Sequence, residues 1–179
     1  MLDQFKLDGQ VAVITGGGTG LGLGIARIFV QAGAKVIIVG RREEKLREAQ
    51  QQLGTNCTYR VFNVTDKAAM PALVADIEEN VGPIDILVNG AGIHLKKPAL
   101  DVTDEEYLGV IDTHVLSVFA LSREVLRRMV PRHRGSIILI SSMSAFMGME
   151  KVVAYTTAKV PCWASSAPSS PTTAAKAFA

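Results

Sequence analysis

Residues 11–24 read VAVITGGGTGLGLG, a short apolar run that ends in a dense glycine turn. The run carries no polar residue before Thr15, which predicts a strand covered by helices on both faces. Gly16, Gly20 and Gly22 follow directly and open a helix. Backbone amides at a helix N-terminus present the positive end of the helix dipole, and glycines let an anionic group approach with no Cβ in the way. A strand, a glycine turn and a helix in that order make the phosphate-holding start of a βαβ unit. Such a turn also serves simply to pack a helix tightly on a strand, and taken alone it leaves both readings open.

The rest of the chain repeats the alternation. Five β-branched apolar runs predict strands at 11–16, 35–40, 57–62, 85–90 and 136–142, with helical segments between them. The first helix follows Gly20. The second, EEKLREAQQQL at 43–53, opens with two Glu and puts Glu44 and Glu48 on a solvent face, Leu46 and Leu53 on a core face. The third starts at Asp66 as N-cap and ends near NVGP at 80–83. The fourth runs from TDEEY at 103–107 to about Met129, with Thr103 and Glu106 spaced as a capping box and Pro131 beyond its end. The pattern predicts an α/β protein built on a doubly wound parallel sheet. At 179 residues and 48% hydrophobic content, one domain with a sizeable core is expected.

Charge and cysteine usage exclude several classes. Lys and Arg number 19 against 17 Asp and Glu, and the one cluster, Arg127, Arg128, Arg132 and Arg134, reads as a solvated helix end, so no nucleic-acid footprint stands out. Cys57 and Cys162 are isolated thiols without ligand spacing, which argues against a metal site and a disulfide framework and suits a reducing cytoplasm. MLDQFKLDGQ at 1–10 lacks a signal pattern, and no apolar run is long enough to span a bilayer; a soluble, unprocessed cytoplasmic protein is expected.

The glycine spacing is Gly-x-x-x-Gly-x-Gly with Thr15 in front, where the general dinucleotide fingerprint has Gly-x-Gly-x-x-Gly. With NGAG at 89–92, Ser142 behind the fifth strand and YTTAK supplying Tyr155 and Lys159, the chain resembles the short-chain dehydrogenase/reductase family over residues 7–159. That resemblance implies a Rossmann-like sheet of five strands in the order 3-2-1-4-5, lacking the last strands of the family. It implies an incomplete NAD(P)-binding domain over 1–159 and an aberrant, disordered tail over 160–179. It also implies nucleotide contacts from Thr15, Gly16, Gly18, Thr19, Gly20, Leu21, Gly22, Asn63, Val64, Asn89, Ala91 and Gly92, joined by Tyr155 and Lys159. Members of the family usually form homodimers or homotetramers. Two departures stand out: Asn63-Val64 replaces the usual Asp-Val, and Gly90 takes the second place of Asn-Asn-Ala-Gly, where the lost amide predicts a looser loop.

The end of the second strand speaks to the nucleotide. An acidic residue there binds the ribose 2′-hydroxyl of NAD. This chain has Gly40 followed by Arg41 and Arg42, and a guanidinium matches a 2′-phosphate in charge and bidentate geometry, so NADP(H) is preferred, with NAD(H) as the alternative. The competing reading makes the two arginines the exposed start of the next helix.

Tyr155 and Lys159 are four apart and share one helix face. An ammonium there favours tyrosinate and can hold ribose hydroxyls. The resemblance implies that Tyr155 gives a proton to a carbonyl oxygen in reduction or takes one in alcohol oxidation, while Ser142 orients that oxygen. It also places an asparagine in the fourth helix, completing the group through a bound water. His114 stands at that place, either packing or carrying the relay with its two ring nitrogens. His94, Lys96 and Lys97 follow the fourth strand near the expected mouth, either as a wet loop or as an attraction for a carboxylate or polyol. The expected substrate is a small alcohol or carbonyl, with sugars and sugar acids favoured by the resemblance. The alternative is a truncated nucleotide-binding remnant without catalysis.

The tail departs from everything before it. From Val160 on, 15 of 20 residues are Ala, Ser, Pro or Thr, a composition that predicts disorder. Val160 and Pro161 predict an early end to the helix of Tyr155. Reading each codon as the last base of one tail residue and the first two of the next forces Leu across Cys162 and Trp163, and Gly across Trp163 and Ala164. One consistent whole reading is GAVLGLVRSLVTDYGGKGIR, apolar at helical spacing, so residues 160–179 are expected to be the out-of-frame product of a one-base deletion. Resequencing the coding DNA tests this.

Overall fold

The computed structural model describes residues 3–164 and 174–178. In chain order the main elements are β1 (Val11–Thr15), α1 (Gly20–Gln31), β2 (Lys35–Gly40), α2 (Glu43–Leu53), β3 (Cys57–Val61), α3 (Met70–Asn80), β4 (Ile84–Asn89), α4 (Asp104–Ile111), α5 (Ser117–Met129), β5 (Ser136–Ile140), α6 (Val153–Ala164) and β6 (Ala174–Phe178). The first five strands take the order 3-2-1-4-5, all parallel, as the sequence predicts. Ala174–Phe178 adds a sixth strand outside β5, in register from Ser136 opposite Ala174 to Ile140 opposite Phe178.

Local chemistry accounts for the helix ends. Glu43 and Glu44 lie at the positive end of α2, and Gly54 closes it at a φ of 81°, returning its N–H to the Gln50 carbonyl at 2.9 Å. Asp66 accepts from the Ala69 N–H and caps a short 3₁₀ turn that leads into α3. Thr103 and Glu106 form the expected capping box at the start of α4. The predicted fourth helix is one continuous rod from Asp104 to Met129, interrupted by a wide turn over Asp112–Leu116 in which the Ser117 N–H reaches the Asp112 carbonyl, five residues back rather than four. Wide turns of this kind are rare and gather at functional sites.

Beyond Lys159, where Val160 and Pro161 predict an end, α6 continues to Ala164. Pro161 gives no N–H to the carbonyl of Thr157, but the helix is already anchored: Ala154 and Ala158 are buried with Val110 of α4 in a small apolar cluster. Residues 165–173 and 179, the remainder of the tail expected to be disordered, lie outside the described residues.

The core has two leaves. On one face of the sheet, Val13, Ile37, Leu87, Ile137 and Leu139 pack under α3 and α5. On the other, Ala12, Ile14, Val36, Ile38 and Val88 pack with Ala26 of α1 and Leu46, Ala49 and Leu53 of α2. The chain leaves β1 towards β2 on one side, whereas β4 lies on the other side of β1. This reversal opens a crevice at the carboxyl ends of β1 and β4, the place where open α/β sheets bind ligands.

Candidate active site

The crevice is lined by Gly16, Gly18, Thr19, Leu21 and Gly22 of the glycine turn and α1, by Arg41 and Arg42 behind β2, by Asn63 and Val64 behind β3, and by Ala91 and Gly92 behind β4. Gly16 has a φ of +72°, and a Cβ on it would lie 2.8 Å from the carbonyl oxygen of Gly90, so both conformation and space demand glycine there. Five predicted nucleotide contacts stand outside this lining: Tyr155 and Lys159 on α6, and Gly20, Thr15 and Asn89. Gly20 opens α1. Thr15 is buried, and its Oγ1 accepts from the N–H groups of Gly90 and Ala91, both at 3.1 Å. The loop expected to be loosened by Gly90 is therefore tied to the end of β1. Asn89 is also buried and donates from Nδ2 to Ser122 Oγ at 3.1 Å.

The end of the crevice near β2 is cationic. Arg41 and Arg42 are exposed, Arg42 Nη2 lies 3.5 Å from Thr19 Oγ1, and Lys45 joins them in the lining. Lys45 is missed by the sequence reading; it lies in the first turn of α2, just beyond the Arg41–Arg42 pair. Nearby Glu43 is turned to Arg47 and Tyr59, whose hydrogen bonds hold its carboxyl below the usual range.

The residues expected to handle the proton lie where β5 ends and along α6. Ser142 starts a 3₁₀ turn over Met143–Ala145 that packs against α6, and its Oγ accepts from the Ser144 N–H at 3.2 Å. Tyr155 and Lys159 lie one turn apart on α6, with the ammonium 5.3 Å from the centre of the phenol ring. Lys159 is only 6% exposed, and its Nζ donates to the Ile140 carbonyl at 2.7 Å. A buried ammonium needs such partners.

His114 projects from the wide turn into this group and is 4% exposed. Its ring meets the Tyr155 ring edge-on, with centres 5.3 Å apart and planes at 89°. Nε2 stands 3.1 Å from the Ile93 nitrogen and 2.7 Å from the Ile93 oxygen; bare it accepts from the N–H, protonated it donates to the carbonyl. Burial pushes the imidazole below its ordinary value, the Ile93 hydrogen bond opposes this, and the charges of Lys159 and His94 add to the lowering. A Cβ on Gly92 would lie 2.4 Å from His114 Cε1, so the glycine of the loop and the histidine of the helix fit as a pair. Asn89, His114 and Lys159 together line a cavity of about 10 Å³, room for one water. His94 brings a second imidazole to Tyr155, also at 5.3 Å between ring centres and at 80°. Among the described residues no helix is long and apolar enough to cross a membrane.

A family model described as short chain dehydrogenase matches residues 10–163. The gluconate 5-dehydrogenase of Gluconobacter oxydans is 37% identical over 160 residues, 88% of this chain and 62% of that protein. A 3-oxoacyl-[acyl-carrier-protein] reductase of Salmonella typhimurium is 36% identical over 86% of this chain and 63% of its own length. The crystal structure of a gluconate 5-dehydrogenase from Burkholderia cenocepacia in complex with NADP and tartrate superposes with a TM-score of 0.85 at 34% identity, covering 92% of this chain and 66% of that one. The chain thus spans less than two thirds of the length of these relatives.

Proposed function

The chain belongs to the short chain dehydrogenase family, and we propose that it interconverts an alcohol and a carbonyl, with NADP(H) as the preferred coenzyme and a sugar acid as the substrate. The observation that carries this reading is the meeting, at one end of the sheet, of a glycine-walled cationic crevice with the half-buried Tyr155 and the buried Lys159. A cradle whose closest wall excludes a Cβ at Gly16 fits a pyrophosphate, and Arg41, Arg42 and Lys45 fit a further phosphate on the ribose. When bound, the coenzyme supplies or accepts the hydride.

The chain's own residues handle the proton. Tyr155 faces the substrate oxygen, giving a proton in reduction and taking one in oxidation, and Ser142 orients that oxygen by a hydrogen bond. Lys159, fixed by the Ile140 carbonyl, holds positive charge beside the phenol. His114 takes the place of the family's asparagine and, through a water in the cavity it shares with Asn89 and Lys159, passes the proton onward. Sugar-acid specificity follows the gluconate dehydrogenases among the relatives. A cytoplasmic setting accords with Cys57, a free and buried thiol.

Fluorescence titration with NADPH and NADH, followed by turnover on a panel of gluconate and ketogluconates, tests the reading. NADPH should bind about tenfold more tightly or better, with the preference lost in Arg41→Ala/Arg42→Ala. Tyr155→Phe should keep coenzyme binding and lower turnover about a hundredfold or more. A preference for NADH would overturn the coenzyme assignment, and coenzyme binding without turnover of any carbonyl would favour a non-catalytic nucleotide-binding protein.

A further inference from the structure

Three side chains that can carry positive charge follow β4, and the structure separates them. The Lys97 ammonium lies 3.0 and 2.9 Å from the two carboxylate oxygens of Glu106, and one of those oxygens also accepts from the Thr103 N–H. Lys97 is thereby committed to the first turn of α4. Lys96 is exposed. His94 alone of the three has a ring contact with Tyr155, and it differs from the other imidazole on that phenol: His114 is buried, whereas His94 is exposed to solvent. An exposed imidazole packed on the phenol ring of the proposed proton donor is open to a ligand held at that phenol.

We propose that His94 is a specificity residue that hydrogen-bonds a hydroxyl on the carbon adjacent to the reacting carbonyl. The site then selects α-hydroxy carbonyl compounds, and the matching vicinal diols in the reverse direction, over plain ketones and secondary alcohols. A neutral imidazole has one donor and one acceptor nitrogen, and a hydroxyl both donates and accepts, so either tautomer of His94 has a complementary partner. A plain ketone offers nothing at that position and leaves a polar ring against an apolar carbon. The inference rests on the alcohol–carbonyl reading of the Tyr155 site.

The test compares 3-hydroxy-2-butanone with 2-butanone, which differ by the adjacent hydroxyl alone. Binding of each to the full chain, with and without NADP, is measured by ligand-observed NMR, so the result does not depend on turnover. The hydroxyketone should bind about fivefold more tightly, the worth of one net hydrogen bond. His94→Ala should abolish that ratio while leaving 2-butanone affinity within about twofold, and His94→Gln, whose amide both donates and accepts, should restore part of it. A ratio near one in the unaltered protein, a ratio that survives His94→Ala, or an equal loss for both ligands would overturn the proposal, the last by reducing His94 to packing on Tyr155. A parallel NADPH titration reports separately on the coenzyme reading: its failure, with the ligand ratio intact, would break that reading and leave this one standing.

Discussion

The two faces of β5 are made of the same residue types and live in different surroundings. Ile137 and Leu139 point into the leaf under α5, and each is 4% exposed among Val125, Met129 and Leu121. Ile138 and Ile140 point the other way and are only partly buried. There α1 offers just its flank, and Leu21, Ile25 and Phe29 with Val88, Ile138, Ile140 and Ser141 enclose an apolar cleft of about 390 Å³. Interior parallel strands are ordinarily covered on both sides. The sequence SIILI gives no sign of this asymmetry, since every position between Ser136 and Ile140 is equally apolar. Burial is decided by which helix arrives, and on the α1 side none of the described helices covers β5.

The comparison can be broken most decisively by truncating each face in turn. Leu139→Ala should lower unfolding free energy by about 2–4 kcal/mol in a denaturant titration, because it empties a site closed on all sides. Ile138→Ala should cost about 1 kcal/mol or less, because its neighbours already border open space. Equal losses would mean that the two faces are alike.

A smaller effect separates the faces by pH. His114, on the covered side, has its imidazole lowered below the ordinary value by burial. Between that ordinary value near 6.5 and the lower folded one, the unfolded chain binds a proton that the folded chain does not, so stability falls as pH falls through this window. The slope contributed is at most about 1.4 kcal/mol per pH unit. His114→Asn should flatten the stability profile below pH 6.5 in urea titrations; an unchanged slope would remove His114 as its source.

The smallest effect leaves stability untouched. The α1–α2 face is open over β5 but shut over β3, where Cys57 is buried and its thiol is pushed up to about 11 by burial. In the native protein at pH 8, peptide mapping after iodoacetamide treatment should find Cys57 unmodified until denaturant is added. Rapid native labelling would show that the open cleft extends across the whole face.

Much of the fold was legible because its signals are local. Glu43, Glu44 and Gly54 mark both ends of α2, and Thr103 with Glu106 marks the start of α4. The wide turn was not legible: DTHVL carries no breaker, and the apolar spacing on either side reads as one helix. Nor was β6, since Ala174, Ala175 and Ala177 have little β-preference and the strand is defined by its distant partner β5. In the site, the glycine turn and the Tyr155–Lys159 pair follow from spacing and order, and His114 from the place that the family resemblance gives an asparagine. The pairing of Gly92 with His114 and the sorting of His94 from Lys96 and Lys97 depend on contacts between segments that no spacing encodes.

The wide turn at Asp112–Leu116 also governs how this chain can gain or lose residues. Within a regular helix, deleting one residue swings everything beyond it by about 100°. Made inside α5, that change would carry Val125 and Met129 off the sheet. Made within Asp112–Leu116, it would convert the five-residue span into an ordinary four-residue one and leave both flanks on their present faces. The rod from Asp104 to Met129 therefore has a single splice point where its length is adjustable, and that point is the turn that holds His114 against the phenol.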